Sequence, residues 1–223
     1  MKINQCTFSS CSKLSRLFLI VSCLLITHSL VAQHIWTGAV DTDWSNPSNW
    51  NPMSVPDGNQ DVEIQNVINN PIASSLTINI NFGNTLTIDS GAVLIIDGLN
   101  ALANGLNGQG TFIVNGTLNI SNTTSSGINI LLFGSLTNNG ILNLTGPGIN
   151  GVLNSQDFIN NGLMNIHNYA VAVTNSSFMA VSSFENTACA QVFTDGWFQD
   201  SDSTFINNGT IVEESANNSF VNT

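Results

Sequence analysis

The chain has 223 residues, of which 14 are acidic and only three are basic, so its formal net charge is -11. A surface that neutralises nucleic-acid phosphates needs clustered Lys and Arg, so this composition excludes nucleic-acid binding of that kind. Charged residues make up 8% and hydrophobic residues 42% of the chain. That balance excludes a charged disordered chain, and it is unlike an ordinary soluble domain, in which about a quarter of the residues are charged.

The first 32 residues have the order of a secretory signal peptide. Basic residues come first, an apolar run covers 17–25, and small residues lead to Ala32. A membrane-spanning helix needs about 20 apolar residues, so we predict cleavage after Ala32 and no transmembrane helix in the mature chain. A lipoprotein cleavage box ending at Cys23 is the alternative. All basic residues precede the predicted cleavage point and all 14 acidic residues follow it, so the mature chain 33–223 has a charge of -14.

Residues 33–61 are predicted to form an amino-terminal cap. Three of the four tryptophans, Trp36, Trp44 and Trp50, lie in this segment, ahead of the first repeat. A solenoid exposes apolar side chains at its open end, and a cluster of large aromatic residues can cover them.

A phrase rich in Asn and Gly recurs after the cap. Its copies have anchor positions at 91, 116, 140, 162, 187 and 209, about 24 residues apart. Short apolar runs separated by Gly and Asn at this period are typical of a solenoid, in which each repeat is one coil of strands and turns. We therefore predict an all-β fold, a right-handed parallel β-helix (β-solenoid) of about seven coils over 62–223, incomplete at the carboxyl end. An antiparallel meander of hairpins is the alternative interpretation of the Asn-Gly pairs.

Two columns of this repeat are predicted to stack along the solenoid axis. Asn before the anchor tolerates turn geometry, and stacked amides can hydrogen-bond to one another. The predicted turn ladder consists of Asn115, Asn139, Asn161, Asn186 and Asn208. The second residue after the anchor is apolar, which predicts a core stack and a buried, unreactive cysteine. The predicted core stack consists of Val93, Leu118, Leu142, Met164, Cys189 and Ile211.

Several short motifs carry a resemblance to known proteins. They are Trp36-Thr37-Gly38, Asp43-Trp44, Asn49-Trp50, the segment 61–64 and the strand-like segment 86–95. Together they resemble the start of exported bacterial parallel β-helix repeat proteins, such as autotransporter passengers and surface proteins of bacteria with type IX secretion. The resemblance implies a β-helix at or outside the cell surface. It implies no catalytic residue.

Two Asp-x-Asp pairs are the candidates for a metal site or a pair of catalytic carboxylates. The pairs are Asp41 with Asp43 and Asp200 with Asp202. Alternate residues of a strand face the same side, so each pair can offer two carboxylates to a calcium ion or to glycoside hydrolysis. Solvated loop acids are the simpler interpretation. We predict no cofactor, with calcium at these pairs as the alternative.

The composition and the repeat together predict an exported structural protein. We expect a secreted or cell-surface, adhesin-like β-solenoid whose polar faces contact glycans or matrix polymers, and which is not an enzyme. Polysaccharide lyases need Arg or Lys beside the substrate carboxylate, and the mature chain has neither. The alternatives are a glycosidase-type enzyme or its non-catalytic β-helix arm, and a calcium-dependent binding module. The last coil predicts an end-to-end or carboxyl-terminal partner.

Overall fold

A computed structural model of the chain describes most of residues 33–223. The predicted signal peptide and Asp202 lie outside the described residues, which belong to one compact unit, Ala32–Thr223. The described residues are 33–99, 104–124, 126–130, 134–146, 150–155, 157–167, 179–181, 183–194, 199–200, 204–214 and 221–222.

The described residues form short β-strands and one turn of 3-10 helix, Pro47–Asn49. From β3 onwards, each coil of the solenoid consists of three successive strands. The strands are β1 His34–Trp36, β2 Trp50–Asn51, β3 Val62–Ile64, β4 Ile72–Ser74, β5 Ile78–Ile80, β6 Thr85–Ile88, β7 Val93–Asp97, β8 Asn104–Gly108, β9 Thr111–Val114, β10 Thr117–Ser121, β11 Ser126–Ile130, β12 Ser135–Asn138, β13 Ile141–Thr145, β14 Asn150–Ser155, β15 Asp157–Asn160, β16 Leu163–His167, β17 Met179–Val181, β18 Ser183–Asn186, β19 Gln191–Thr194, β20 Gln199–Asp200, β21 Thr204–Asn207, β22 Thr210–Glu213 and β23 Val221–Asn222.

Equivalent strands of successive coils pair in parallel and form three sheets along the axis. Sheet A has the order β2-β1-β3-β6-β9-β12-β15-β18-β21, sheet B the order β4-β7-β10-β13-β16-β19-β22, and sheet C the order β5-β8-β11-β14-β17. About five coils place a strand in all three sheets. The later strands extend sheets A and B, while β20 and β23 pair separately. The prediction of an all-β parallel solenoid is confirmed.

The three tryptophans of the amino-terminal segment form one buried cluster. The ring centroids of Trp44 and Trp50 are 4.7 Å apart and those of Trp36 and Trp50 are 5.0 Å apart, both edge to face. Trp36 lies in register with Ile64, and the bridge between Asp43 and Ile72 extends sheet B by one position. The cluster therefore continues the core of the first coil and shields it from water.

Side chains of sheet B alternate between the core and solvent, and the strand register fixes which residues stack. Leu118, Leu142 and Met164 align with one another and are buried. The full inward column consists of Leu94, Leu118, Leu142, Met164, Val192 and Ile211.

Two members of the predicted core stack were wrong. Val93 is half-buried and pairs with Thr117, so Leu94 occupies the core position. Cys189 is exposed in a turn, and Val192 takes its place. The reason is turn length: the turns 89–92 and 187–190 hold four residues, whereas 115–116, 139–140, 161–162 and 208–209 hold two. The two extra residues in each longer turn move the inward-facing position further along the chain in those coils.

Candidate functional site

The outer face of sheet A carries two straight rows of side chains. In the first row, Thr85, Thr111 and Ser135 align in successive coils, followed by Asp157. We call this the hydroxyl row; Ser183 and Thr204 align with each other further along the same edge. The second row alternates polar and aliphatic residues. It consists of Glu63, Thr87, Ile113, Thr137, Ile159, Glu185 and Ile206.

Amide ladders run along the outer faces of sheets B and C. On sheet B, Asn143 Nδ2 donates to Asn119 Oδ1 and Asn165 Nδ2 donates to Asn143 Oδ1, both at 2.7 Å. The ladder of sheet C joins Asn79, Asn107 and Asn129 at 2.8 and 2.7 Å. These ladders fix the side chains of each coil to the next, so the outer faces are polar and ordered.

The predicted turn ladder is present in three of its five positions. Asn139 Nδ2 donates to Asn115 Oδ1, and Asn161 Nδ2 donates to Asn139 Oδ1, both at 2.8 Å. Asn186 was placed wrongly, because it aligns with Asn160 and leaves Thr187 in the turn column. Asn208 lies in the turn column one coil after Thr187, and its side chain makes no hydrogen bond to any described residue.

A fourth amide ladder lies inside the core at the end of sheet A, and sequence reasoning did not find it. Asn138 Nδ2 donates to Asn160 Oδ1 at 2.7 Å, Asn160 Nδ2 to Asn186 Oδ1 at 2.8 Å, and Asn186 Nδ2 to Asn207 Oδ1 at 2.8 Å. The side chains of Asn138, Asn160 and Asn186 are fully buried. We call this set the inner ladder. It replaces an apolar column, since Ile64, Ile88 and Val114 hold the same register in the earlier coils.

Asp41 and Asp43 lie in the cap, where their carboxylates organise the turn. The Asp41 carboxylate accepts hydrogen bonds from Asn49 Nδ2 at 2.6 Å, from Asn46 Nδ2 at 2.9 Å and from the Asp43 backbone N–H at 2.9 Å. The amide of Asn49, followed by Asn46 and the Asp43 N–H, holds the pKa of Asp41 below its usual range because these donors favour the ionised form. The Asp41 oxygens are thus engaged within the cap.

Calcium binding at the Asp pairs stays a prediction. Asp200 is described only as part of β20, and Asp202 lies outside the described residues. Within the part of the chain that the structure describes, no group of three or more His, Cys, Asp or Glu side chains could hold a metal ion.

Glu63 and Asp89 form a carboxylate pair that sequence reasoning did not find. Burial raises the pKa of Asp89, and the charge of Glu63 and a hydrogen bond between the two side chains act in the same direction. Glu63 also accepts hydrogen bonds from Gln33 Nε2 at 2.6 Å and Gln65 Nε2 at 2.7 Å. The register pairs Glu63 with Thr87, two residues before Asp89. In the sequence, the two carboxylates are therefore separated by one coil plus two further residues, and this spacing was the signal that could have indicated the pair.

A cavity of about 200 Å³ lies between the cap and the first coil. Trp44, Val55, Pro56 and Leu76 make its wall largely apolar, and Asp57 is the carboxylate that lines it. The backbone N–H of Asn59, and then the side chain of Gln60, hold the pKa of Asp57 below its usual range. None of the predicted site residues lines this cavity.

Comparison with protein families identifies residues 35–183 as a domain of unknown function, DUF8693. The chain belongs to this family. The DUF8693 match begins in β1 and ends at the first residue of β18, so it includes the tryptophan cluster and the first half of the inner ladder. No curated protein and no solved structure matches the chain. The description of DUF8693 names no export route, so the resemblance to autotransporter passengers and type IX cargo stays a prediction. Among the described residues of this DUF8693 chain, no helix has the length and hydropathy needed to cross a membrane.

Proposed function

We propose that the chain is an exported structural, adhesin-like β-solenoid of the cell surface or extracellular space, which contacts neutral glycans or matrix polymers through the outer face of sheet A. The observation that carries this proposal is the hydroxyl row, in which Thr85, Thr111 and Ser135 stand in register on successive coils. Adjacent strands lie about 4.8 Å apart, so the row offers hydroxyl donors and acceptors at a constant spacing.

The second row of sheet A supports the same ligand class. Ile113 and Ile159 alternate with Thr137 and lie beside the hydroxyl row. Sugar rings have apolar C–H faces and polar hydroxyl edges, so a surface with both kinds of side chain can contact both. Each contact is weak, but many equal contacts along one rigid face add up when the ligand is a polymer.

The charge of the chain supports a neutral ligand rather than an acidic one. The segment 33–223 has no Lys or Arg, and Asp157 and Glu185 lie on the outer face of sheet A. An acidic polysaccharide would meet repulsion from these carboxylates without any compensating cation.

The export part of the proposal is supported by the signal-peptide pattern of residues 1–32.

A retention assay with a matched pair of variants tests the proposal. The chain 33–223 is passed over neutral and acidic polysaccharides, with and without calcium, and both retention and new reducing ends are measured. Thr111→Glu places a charge in the hydroxyl row, whereas Thr117→Glu places the same charge at the first position of the next strand, on sheet B. We expect retention on neutral polysaccharides without cleavage, and loss of retention in Thr111→Glu alone. Equal loss in both variants, or no retention of the unmodified chain, would contradict the proposal.

The Glu63–Asp89 pair is the observation that favours a second candidate, a glycosidase-type enzyme. A carboxyl group with a raised pKa can act as the general acid that glycoside hydrolysis requires, and Asp89 is such a group. If the pair acts in this way, new reducing ends appear on a neutral polysaccharide and disappear in both Glu63→Gln and Asp89→Asn. Asp97→Asn is the control, since Asp97 belongs to β7 of sheet B. Absence of reducing ends with every substrate of the panel leaves the non-catalytic proposal.

A further inference from the structure

Four turns between sheets A and B have the same two-residue sequence, Asn-Gly. They are Asn115-Gly116, Asn139-Gly140, Asn161-Gly162 and Asn208-Gly209. Asn followed by Gly can lose its side-chain amide without an enzyme, because the backbone nitrogen of Gly can attack the side-chain carbon Cγ of Asn. The attack requires that the Asn side chain can rotate and that the Gly N–H is not held by an acceptor.

Hydrogen bonds hold every group of the Asn139-Gly140 pair that takes part in this reaction. Asn139 Nδ2 donates to Asn115 Oδ1, and Asn139 Oδ1 accepts from Asn161 Nδ2, both at 2.8 Å. The Gly140 N–H donates to the carbonyl oxygen of Val114 at 2.9 Å. Attack on Cγ of Asn139 therefore requires that these hydrogen bonds break first.

The Asn115-Gly116 and Asn161-Gly162 pairs are held in part. Asn115 Oδ1 accepts from Asn139, and the Gly116 N–H donates to the Ile88 carbonyl oxygen at 3.1 Å. Asn161 donates to Asn139, but the Gly162 N–H has no hydrogen bond to another described residue. Both pairs should therefore react more slowly than a free Asn-Gly and faster than Asn139.

The Asn208-Gly209 pair differs from the other three, because no described residue holds either reacting group. The turn ladder ends at Asn161, because Thr187 follows it in the column and offers no amide to Asn208. The Asn208 side chain is exposed and, among the described residues, neither it nor the Gly209 N–H makes a hydrogen bond. The same two-residue sequence thus stands in four different hydrogen-bonding states.

We propose that Asn208 is a spontaneous modification site, at which the folded chain deamidates ahead of its other turn asparagines. The Gly209 nitrogen loses its proton and forms a bond to Cγ of Asn208, the bond from Cγ to Nδ2 breaks, and ammonia leaves. Water then opens the cyclic imide at either carbonyl, which gives Asp or isoaspartate. The net reaction consumes one water and releases one ammonia for each Asn, and no electron transfer takes place.

The isoaspartate product changes the turn more than the Asp product does. Isoaspartate adds one methylene to the backbone, and Gly209 lies against the preceding coil so closely that an added Cβ would overlap the carbonyl oxygen of Ala190. The bond from the Thr210 N–H to that same oxygen is 3.0 Å long and joins β22 to the turn before β19. Deamidation at Asn208 should therefore loosen the pairing of β22 with β19.

Peptide mass mapping of the aged protein tests the proposal. The full mature chain is incubated at mildly alkaline pH and cleaved at acidic or aromatic residues, since 33–223 has no trypsin site. We expect deamidation of Asn208 to be at least about fivefold faster than that of Asn115 or Asn139, because one retained hydrogen bond changes a rate by about that factor. In urea, where the folded contacts are lost, all four sites should react at similar rates.

A variant that extends the turn ladder should protect Asn208 against deamidation, and it provides the complementary test. Thr187→Asn places an amide in the column beside Asn208, so Asn208 should deamidate more slowly while Asn115 and Asn139 keep their rates. The proposal is overturned if Asn139 reacts as fast as Asn208 in the folded chain. It is equally overturned if Asn208 stays intact while the urea-treated chain deamidates.

Discussion

The buried amides of the inner ladder depend on one another for their hydrogen bonds. Each side chain of the inner ladder satisfies the hydrogen-bonding groups of its neighbours. Asn160 Nδ2 donates to Asn186 Oδ1 and, at 3.2 Å, to the Gln191 carbonyl oxygen, while Asn160 Oδ1 accepts from Asn138 Nδ2. A buried amide without partners costs more than a hydrogen bond returns, so such a ladder is stable only when every member is present.

Removal of one inner-ladder amide should therefore destabilise the fold strongly. Asn160→Ala leaves the Nδ2 group of Asn138 and the Oδ1 atom of Asn186 without their amide partner, and it also opens a cavity. We expect the free energy of unfolding to fall by about 3 kcal/mol in urea titration. The control is Asn139→Ala in the exposed turn ladder, with an expected loss below about 1 kcal/mol. Equal losses would show that burial of the ladder is not what matters.

The raised pKa of Asp89 predicts the pH dependence of one variant. A carboxyl group with a raised pKa binds its proton more tightly in the folded chain than in the unfolded chain, so its contribution favours folding at low pH and is lost as pH rises through the raised pKa. Asp89→Asn stays neutral, so it should raise the unfolding midpoint at about pH 7 and change little at about pH 3. Asp157→Asn, on the exposed edge of the same sheet, is the control. A lower midpoint for Asp89→Asn at neutral pH would contradict this.

The sequence contained the signal for the inner ladder, although the pattern was interpreted as a turn. Leu136 and Asn138 are two residues apart on one strand, so they face the same side, and Leu136 belongs to the core. Asn139 was correctly assigned to the turn ladder. Asn138 was missed because a polar residue next to Gly is expected in solvent, and only stacking on Asn160 makes its burial favourable.

The turns between sheets A and B determine how closely successive coils approach. Gly140 lies over the carbonyl oxygen of Gly116, and Gly162 lies over that of Gly140, each so near that an added Cβ would overlap the oxygen. The backbone ladder continues through these turns, since the Ile141 N–H donates to Gly116 O and the Leu163 N–H donates to Gly140 O, both at 2.9 Å. The glycines allow sheets A and B to share one continuous set of hydrogen bonds.

Addition of a single methyl group at such a turn should separate two coils. Gly140→Ala forces the turn 139–140 away from the turn 115–116, and we expect a loss of about 2–4 kcal/mol in the free energy of unfolding. Gly83→Ala is the control without close approach: Gly83 has a positive φ of 85°, unlike Gly140, but its Cβ would meet no atom within 4 Å. Its expected cost is about 1 kcal/mol, from the backbone conformation alone. If the free energy of unfolding falls equally in both variants, close approach of the coils does not explain the glycine column.

The repeat predicted the strands well where the turns were uniform and poorly where they were not. The copies at Asn115, Asn139 and Asn161 have two-residue turns, and their columns were correct. Cys189 belongs to a degenerate copy with a four-residue turn, so the inward apolar position lies at Val192 instead. Insertions in turns leave strand pairing intact, which is why the fold class survived an error in register.

The whole molecule is a stack in which each coil contacts mainly its neighbours, and this makes the tryptophan cluster a local rather than a global support. Trp36, Trp44 and Trp50 are buried with Val62 and Ile64 of β3 in the same core cluster. In such stacks, stability is close to a sum of coil and interface contributions, so damage at one end spreads only as far as the coupling allows.

Loss of a cap tryptophan should therefore open the solenoid from the amino-terminal side. Trp50→Ala removes three edge-to-face ring contacts, with His34, Trp36 and Trp44, and the hydrogen bond from its Nε1 to the Trp44 carbonyl oxygen at 2.9 Å. We expect a loss of about 3–5 kcal/mol for the first coils. Hydrogen exchange should show lower protection in β3–β6 while β12–β16 keep theirs. Phe82→Ala is the control, since Phe82 is 69% exposed, and uniform loss of protection along the chain would contradict the prediction.

The change from Ile64, Ile88 and Val114 to Asn138, Asn160 and Asn186 along one inward column gives the two halves of the solenoid incompatible interiors. Genes for repeat proteins grow and shrink by unequal recombination between similar repeats. A duplicated coil is tolerated here only if it stays in its own half, because an Asn coil inserted among isoleucines would bury an amide with no amide above or below it. Length variants of this protein should therefore differ in how many coils each half contains, and the order of the halves should stay the same.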